Sequence, residues 1–267
     1  MRYAALLLFI CCSAPRAGAE PMLNVGYFSL APHTNSNAAL RAPAFCYFDL
    51  LAERMQLQVK YHHLPLSRLL KQLADNQLDM ALILAKNNER QQQFIYPAEA
   101  FFVTKPALAV RPELATDIQR FMQRRDYSIV LWQQGYRPAQ LNNFPGRTII
   151  LTGDNIAGRA VEMLQKGRAD AFYEPDMYSL QYELQQYDLT KQLKILPFET
   201  DALSLYSVFS TQAAPRYLAA YEKALRAQQA KITYIQYLQK YLLHSAQNPA
   251  GAATAHSTIS ASGCLAS

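Results

Sequence analysis

Glycine is scarce in this 267-residue chain, nine residues in all, and the glycines are too dispersed to build a phosphate-cradling loop or a Gly-x-Ser-x-Gly nucleophile elbow. Histidine is equally sparse. His33, His62, His63, His244 and His256 share no ligand spacing with cysteine, so no metal is expected, and no cofactor. Only four cysteines are present, too few for a disulfide scaffold. Basic residues never cluster beyond Arg124-Arg125, which leaves no footprint for a nucleic acid. Ala4 to Cys12 is a nine-residue apolar run, well short of the roughly 20 residues that cross a bilayer. No sustained heptad or Gly-x-y repeat occurs, and hydrophobic residues make up 51% of the chain. Coiled coil, collagen and whole-chain disorder are thereby excluded, and a globular protein with a sizeable core remains.

The beginning of the chain reads as a secretion signal. Met1-Arg2-Tyr3 supplies a positive charge, Ala4 to Cys12 the apolar stretch, and Ala17-Gly18-Ala19 a small-x-small cleavage site. Cleavage after Ala19 and delivery to the periplasm are expected. A lipidated start at Cys11 or Cys12 lacks the small residue that should precede it, since Leu8-Phe9-Ile10 stands there. Loss of Arg2 and Arg16 lowers Lys+Arg from 26 to 24 against 20 Asp+Glu, so the mature charge is +4 rather than +6. Two cysteines survive, Cys46 and Cys264. The compartment permits a bond between them, and the sequence leaves the pairing open.

In the mature chain, strand and helix patterns alternate. Leu23 to Tyr27 alternates apolar and polar residues, Phe48 to Met55 carries a helical face, and Leu57, Val59 and Tyr61 mark a second strand. Leu66, Leu69, Leu70 and Leu73 then share a helix face, and Leu78 to Leu84 is a run suited to a buried parallel strand. The pattern recurs with strands at Tyr127 to Trp132, Arg147 to Leu151 and Ala169 to Tyr173, and a helix at Asn155 to Gln165. Leu73 to Ala81 echoes Leu164 to Phe172: a leucine, a residue tolerant of left-handed backbone three positions on (Asn76, Gly167), and an aspartate three beyond that (Asp79, Asp170). Two α/β lobes follow, residues 20–109 and 110–197. A return segment at 198–245 completes the first lobe through a strand at Ala202 to Phe209 and helices from Pro215 to Leu243. Strands are expected to cross between lobes near Ala107 to Arg111 and Lys194 to Thr200, and a disordered tail is expected at 246–267. Tyr217, Tyr221, Tyr234, Tyr237 and Tyr241 fall at helical intervals, as a core-facing stripe does.

This ordered set of segments resembles the periplasmic solute-binding proteins of ABC transporters, in particular the polar-amino-acid branch. The resemblance covers nearly the whole mature chain. It rests on Leu23-Asn24-Val25-Gly26-Tyr27 with Pro32, Phe48-Asp49-Leu50-Leu51, Leu73 to Ala81, Asn88-Glu89-Arg90, Phe94-Ile95-Tyr96-Pro97, Gln134-Gly135-Tyr136 and Gly167-Arg168-Ala169-Asp170-Ala171. It implies a type II two-lobed fold, each lobe a mostly parallel sheet flanked by helices and the two joined by crossover strands. It also implies a monomer that captures a small polar or anionic solute, amino-acid-like, and hands it to the permease of an ABC transporter.

Arg90 matches the family's carboxylate-holding arginine, and a guanidinium fork suits that task. Asn87 precedes it, and Tyr27, Phe28 and Tyr136 are expected as pocket walls. Arg137, behind a glycine turn that should open a helix, is expected as a second cation facing an anion. Where the family places the acid that receives an α-ammonium group, this chain has Pro175, flanked by Glu174 and Asp176. Either neighbour could supply the charge. No catalytic residue is expected. Two other functions fit the same fold: a receptor presenting its ligand to a membrane sensor, and a dehydratase-like enzyme with Glu174 or Asp176 as general acid.

Overall fold

The computed structural model describes residues 22–28, 33–34, 42–153, 155–186, 188–199, 202–247 and 264. The expected signal segment lies outside the described residues. The first sheet is built from β1 (Met22–Tyr27), β2 (Gln58–His63), β3 (Met80–Ala85) and β4 (Phe102–Thr104), with α1 (Pro43–Arg54), α2 (Leu66–Ala74) and α3 (Asn88–Gln93) between them. The second contains β5 (Ala107–Val110), β6 (Ser128–Trp132), β7 (Arg147–Leu151), β8 (Ala171–Glu174) and β9 (Lys194–Pro197). Its helices are α4 (Ile118–Met122), α5 (Ala139–Asn142), α6 (Ile156–Gln165) and α7 (Met177–Gln186). β10 (Leu203–Phe209), α8 (Ala214–Gln229) and α9 (Tyr234–Gln247) return to the first lobe.

The two sheets share one plan. Their orders are β2-β1-β3-β10-β4 and β7-β6-β8-β5-β9. In each, three parallel strands lead to an antiparallel pair, the strand that enters the lobe lying inside and the strand that leaves it lying at the edge. β5 belongs wholly to the second sheet, so the chain first crosses at Lys105-Pro106, ahead of the position 109 at which the sequence pattern divides the lobes. The second crossing lies between β9 and β10. The crossings hold each other, Phe198 N donating to Pro106 O at 2.9 Å. α1 begins at Pro43, five residues before the predicted start, because proline at the first helical position carries no N–H that the helix would leave unpaired. α9 extends to Gln247, two residues into the predicted tail; apart from Cys264 the rest of that tail lies outside the described residues.

The internal echo has a physical basis. Asn76 (φ 56°) and Gly167 (φ 63°) both take the left-handed conformation that ends their helices. Three residues on, each aspartate clamps the adjacent parallel strand of its sheet. Asp79 Oδ2 accepts from Asn24 N at 2.8 Å while Asp79 N donates to Asn24 O at 3.0 Å. Asp170 Oδ2 likewise accepts from Ser128 N at 2.8 Å, with Asp170 N donating to Ser128 O at 3.1 Å.

Each sheet buries both faces. In the first lobe, α1, α8 and α9 cover one face through Tyr47, Phe48, Leu51, Tyr221 and Tyr237, while α2 covers the other through Leu69 and Leu73. Cys264 reaches this first cluster and is disulfide-bonded to Cys46. In the second lobe, α6 and α7 take one face and α4 and α5 the other. Tyr221, Tyr234, Tyr237 and Tyr241 are buried, as their helical spacing predicts.

Candidate functional site

Side chains alternate along a strand, so where a parallel strand ends, one residue turns to the core and the next projects into the space between lobes. At the end of β1, Tyr27 packs on Phe45 of α1, ring centroids 4.7 Å apart, while Phe28 lines a cavity between the lobes. Ile83, Leu84 and Ala85 at the end of β3, Trp132 at the end of β6, and Glu174, Pro175 and Asp176 at the end of β8 line the same cavity. Its volume is about 30 Å³, enough for a water or two, because the lobes are closed on it.

Arg90 is buried in this wall. Asn87, outside the lining, positions it by capping α3: its Oδ1 accepts from Arg90 N at 2.8 Å. The guanidinium donates to Ala85 O at 2.9 Å and, across the cleft, to Gln134 O at 2.6 Å. Among the described residues it forms no ion pair. Burial lowers its pKa, with Tyr96 and Glu89 opposing the shift, and it stays charged.

Gln134 takes the left-handed conformation (φ 57°) that turns the chain after β6. Gly135 is needed there for room, since a Cβ would stand 2.9 Å from Trp132 Cβ. Tyr136 lines the cavity. No helix opens behind it: the next begins at Ala139, after the non-helical Pro138, and has four residues. Arg137 therefore has no helix N-terminus behind it. It lies outside the lining and donates to Trp132 O at 3.5 Å.

The two acids flanking Pro175 have diverged in role. Asp176 caps α7, accepting from Tyr178 N and Ser179 N, and also takes hydrogen bonds from Thr104 Oγ1 at 2.6 Å and Ser179 Oγ at 2.9 Å. His33 Nε2 lies 2.5 Å from Asp176 Oδ2, and His33 Nδ1 lies 2.7 Å from the hydroxyl of Tyr234. Thr104, His33 and Tyr234 belong to the first lobe, so this buried network ties the lobes together. Burial pushes the Asp176 carboxyl up, but His33 and the hydrogen bonds more than offset it, and the group lies below the usual carboxylate range.

Glu174 shares the burial without the partners. Its Oε2 accepts from Trp132 Nε1 at 3.0 Å, and its buried Oε1 has no hydrogen-bond partner among the described residues. Burial pushes its carboxyl well above the usual range, and the nearby Asp176 charge adds to the shift. Burial therefore favours the neutral form of this carboxyl.

Five of the expected residues thus meet at the cavity: Phe28, Arg90, Tyr136, Glu174 and Asp176. The pattern gave no indication of Trp132, Gln134, His33, Thr104 or Tyr234 as participants. Trp132 carried a usable signal, being the only tryptophan and the last residue of a strand. Among the described residues no group of His, Cys, Asp and Glu is arranged to hold a metal, and no helix is long and apolar enough to cross a membrane.

Residues 46–244 match the sequence profile of the bacterial extracellular solute-binding proteins, family 3. The chain belongs to this family. No curated protein sequence matches it significantly. Among solved structures, this family 3 protein is similar to an ancestral arginine-binding protein bound to arginine (TM-score 0.69, 16% identity, 83% of this chain and 98% of the other covered). It is also similar to the amino acid ABC transporter substrate-binding protein AbpA of Streptococcus pneumoniae, bound to L-arginine (0.69, 12%, 84% and 95%). A third likeness is to the ancestral amino acid-binding protein AncCDT-1, a precursor of cyclohexadienyl dehydratase (0.68, 15%, 82% and 95%). At such identities the likeness is one of fold, the type II periplasmic-binding fold in which two mixed sheets are flanked by helices.

Proposed function

We propose that this family 3 protein is secreted through its N-terminal signal into the periplasm. There, as a monomer, it closes its lobes on a small carboxylate-bearing solute, amino-acid-like in size, for delivery to the permease of an ABC transporter. Arg90 carries this reading: a buried cation at the cleft whose guanidinium, among the described residues, donates only to two backbone carbonyls. Replacing dipoles with a carboxylate on a buried guanidinium gains a charge-assisted, bidentate pair. Phe28, Trp132 and Tyr136 supply apolar walls, as solute pockets generally have. Because the closed cavity is so small, entry requires the lobes to part at the two crossings, the hinge motion of such clefts. A thermal-shift screen tests the reading, since a ligand raises the melting temperature in step with its concentration over its Kd. Carboxylates are expected to stabilise the protein and their amides not to; equal stabilisation by both would contradict it.

The dehydratase-like alternative has one observation in its favour, the buried Glu174 carboxyl at the cleft, which burial holds toward the neutral form that suits a general acid. The binding reading expects a bound solute to be recovered chemically unchanged after denaturation; conversion that Glu174→Gln abolishes would favour the enzyme. Neighbouring genes for a permease and an ATPase would favour delivery over presentation to a membrane sensor.

A further inference from the structure

Resting on that carboxylate reading, the second wall of the cavity specifies what the solute carries beside its carboxylate. Two acids flank Pro175, but Asp176 is fully used: both its oxygens are saturated by His33, Thr104, Ser179 and two backbone N–H groups. Only Glu174 remains for the solute. One of its oxygens is fixed by Trp132 Nε1 and the other is buried with no hydrogen-bond partner among the described residues. An ionised carboxylate in such a setting would need a cation, or several donors, close at hand. Among the described residues the donors near Glu174 are neutral, the Trp132 indole and the backbone N–H of Asp176, and Phe28, Ile83, Leu84, Trp132 and Leu205 surround the cavity with apolar surface. A buried carboxyl so placed is a hydrogen-bond donor, as a protonated acid is.

We infer that the solute is an apolar carboxylate bearing an oxygen, not an ammonium group, on its α-carbon: a 2-oxo or 2-hydroxy acid whose carboxylate meets Arg90 and whose α-oxygen accepts from Glu174. Arg90 meets the carboxylate and Glu174 offers the α-oxygen a donor, whereas an α-ammonium group would find the Asp176 oxygens already saturated and Glu174 held by burial toward its neutral form. Enclosing an uncompensated charge in low dielectric is strongly unfavourable.

Matched pairs test the inference: phenylpyruvate against L-phenylalanine, and 4-methyl-2-oxopentanoate against L-leucine, titrated calorimetrically into the wild-type protein. At least one 2-oxo acid is expected to bind ten-fold or more tightly than its amino acid. Glu174→Gln, which keeps an uncharged donor, should retain most of that affinity, and Glu174→Ala should lose about ten-fold, the weight of one buried hydrogen bond. An amino acid that binds as tightly as its 2-oxo partner overturns the inference and leaves the Arg90 anchor standing. Loss of binding in Glu174→Gln overturns it too, since an ionised carboxylate would then be required, and so does failure of all four probes to bind. Unchanged binding of the 2-oxo acid by Arg90→Ala would instead overturn the carboxylate anchor, whatever the preference between pair members.

Discussion

Two aspartates with the same local task show how single residues set the frame for the cleft. Asp79 and Asp170 each receive a strand N–H on one oxygen and an arginine on the other, Arg216 and Arg111 respectively, both at 3.2 Å. Removing either carboxylate strands a backbone donor of the adjacent strand, Asn24 N in β1 or Ser128 N in β6. Asp170→Ala is expected to lower stability by about 1–3 kcal/mol, and Asp79→Ala by a similar amount, measured by urea unfolding. Lys166→Ala, which breaks an exposed pair with Glu162, should change it by less than about 0.5 kcal/mol. These aspartates, like Arg90, were legible in the sequence because each sits at a fixed interval from a strand end. His33 was not. It lies 143 residues from Asp176 and 201 from Tyr234 in the chain, and no local pattern reports such a meeting.

At the scale of elements, α7 links the site to the second core. Its N-terminus is capped by Asp176, and its first N–H, that of Met177, donates to Lys105 O at the first crossing, 3.0 Å away. Further along, burial pushes the Glu183 carboxyl up to about 7 from 4.5. The unfolded chain therefore releases this proton first as pH rises. The stability the group contributes is complete below pH 4.5 and lost as pH climbs through about 7. Glu183→Gln should flatten that part of the profile and make the protein more stable than wild type at pH 8, by about 2–3 kcal/mol at most, with little difference at pH 4. Melting curves at the two pH values check this. Long periodic elements such as α6, α8 and β6 were readable from hydrophobic spacing. The exact place of the first crossing was not, because β4 and β5 are only three and four residues long and buried strands of that length lack an alternating signature. The short α5 escaped for a related reason: a glycine turn was read as a helix start, whereas Gly135 serves to clear Trp132.

For the whole molecule, closure depends on a few contacts between lobes: Arg90 with Gln134 O, Phe28 edge-on to Trp132 at 6.0 Å, and His33 and Thr104 with Asp176. The His33–Asp176 pair is the one that burial makes costly to break. His33→Leu leaves a buried carboxylate short of its main partner and should destabilise the protein by about 3–5 kcal/mol, seen as a lower melting temperature. Replacing both partners with apolar residues should restore part of that loss, which separates the penalty of an unpaired charge from the worth of the pair. Against this closed background the anchoring role of Arg90 is most directly tested by calorimetric titration of Arg90→Ala with a carboxylate that stabilises the wild-type protein. The expected result is a folded variant, with circular dichroism like that of wild type, whose affinity for that carboxylate is at least a hundred-fold weaker. A folded Arg90→Ala protein that binds it with unchanged affinity would contradict the assignment of this cleft as a carboxylate site.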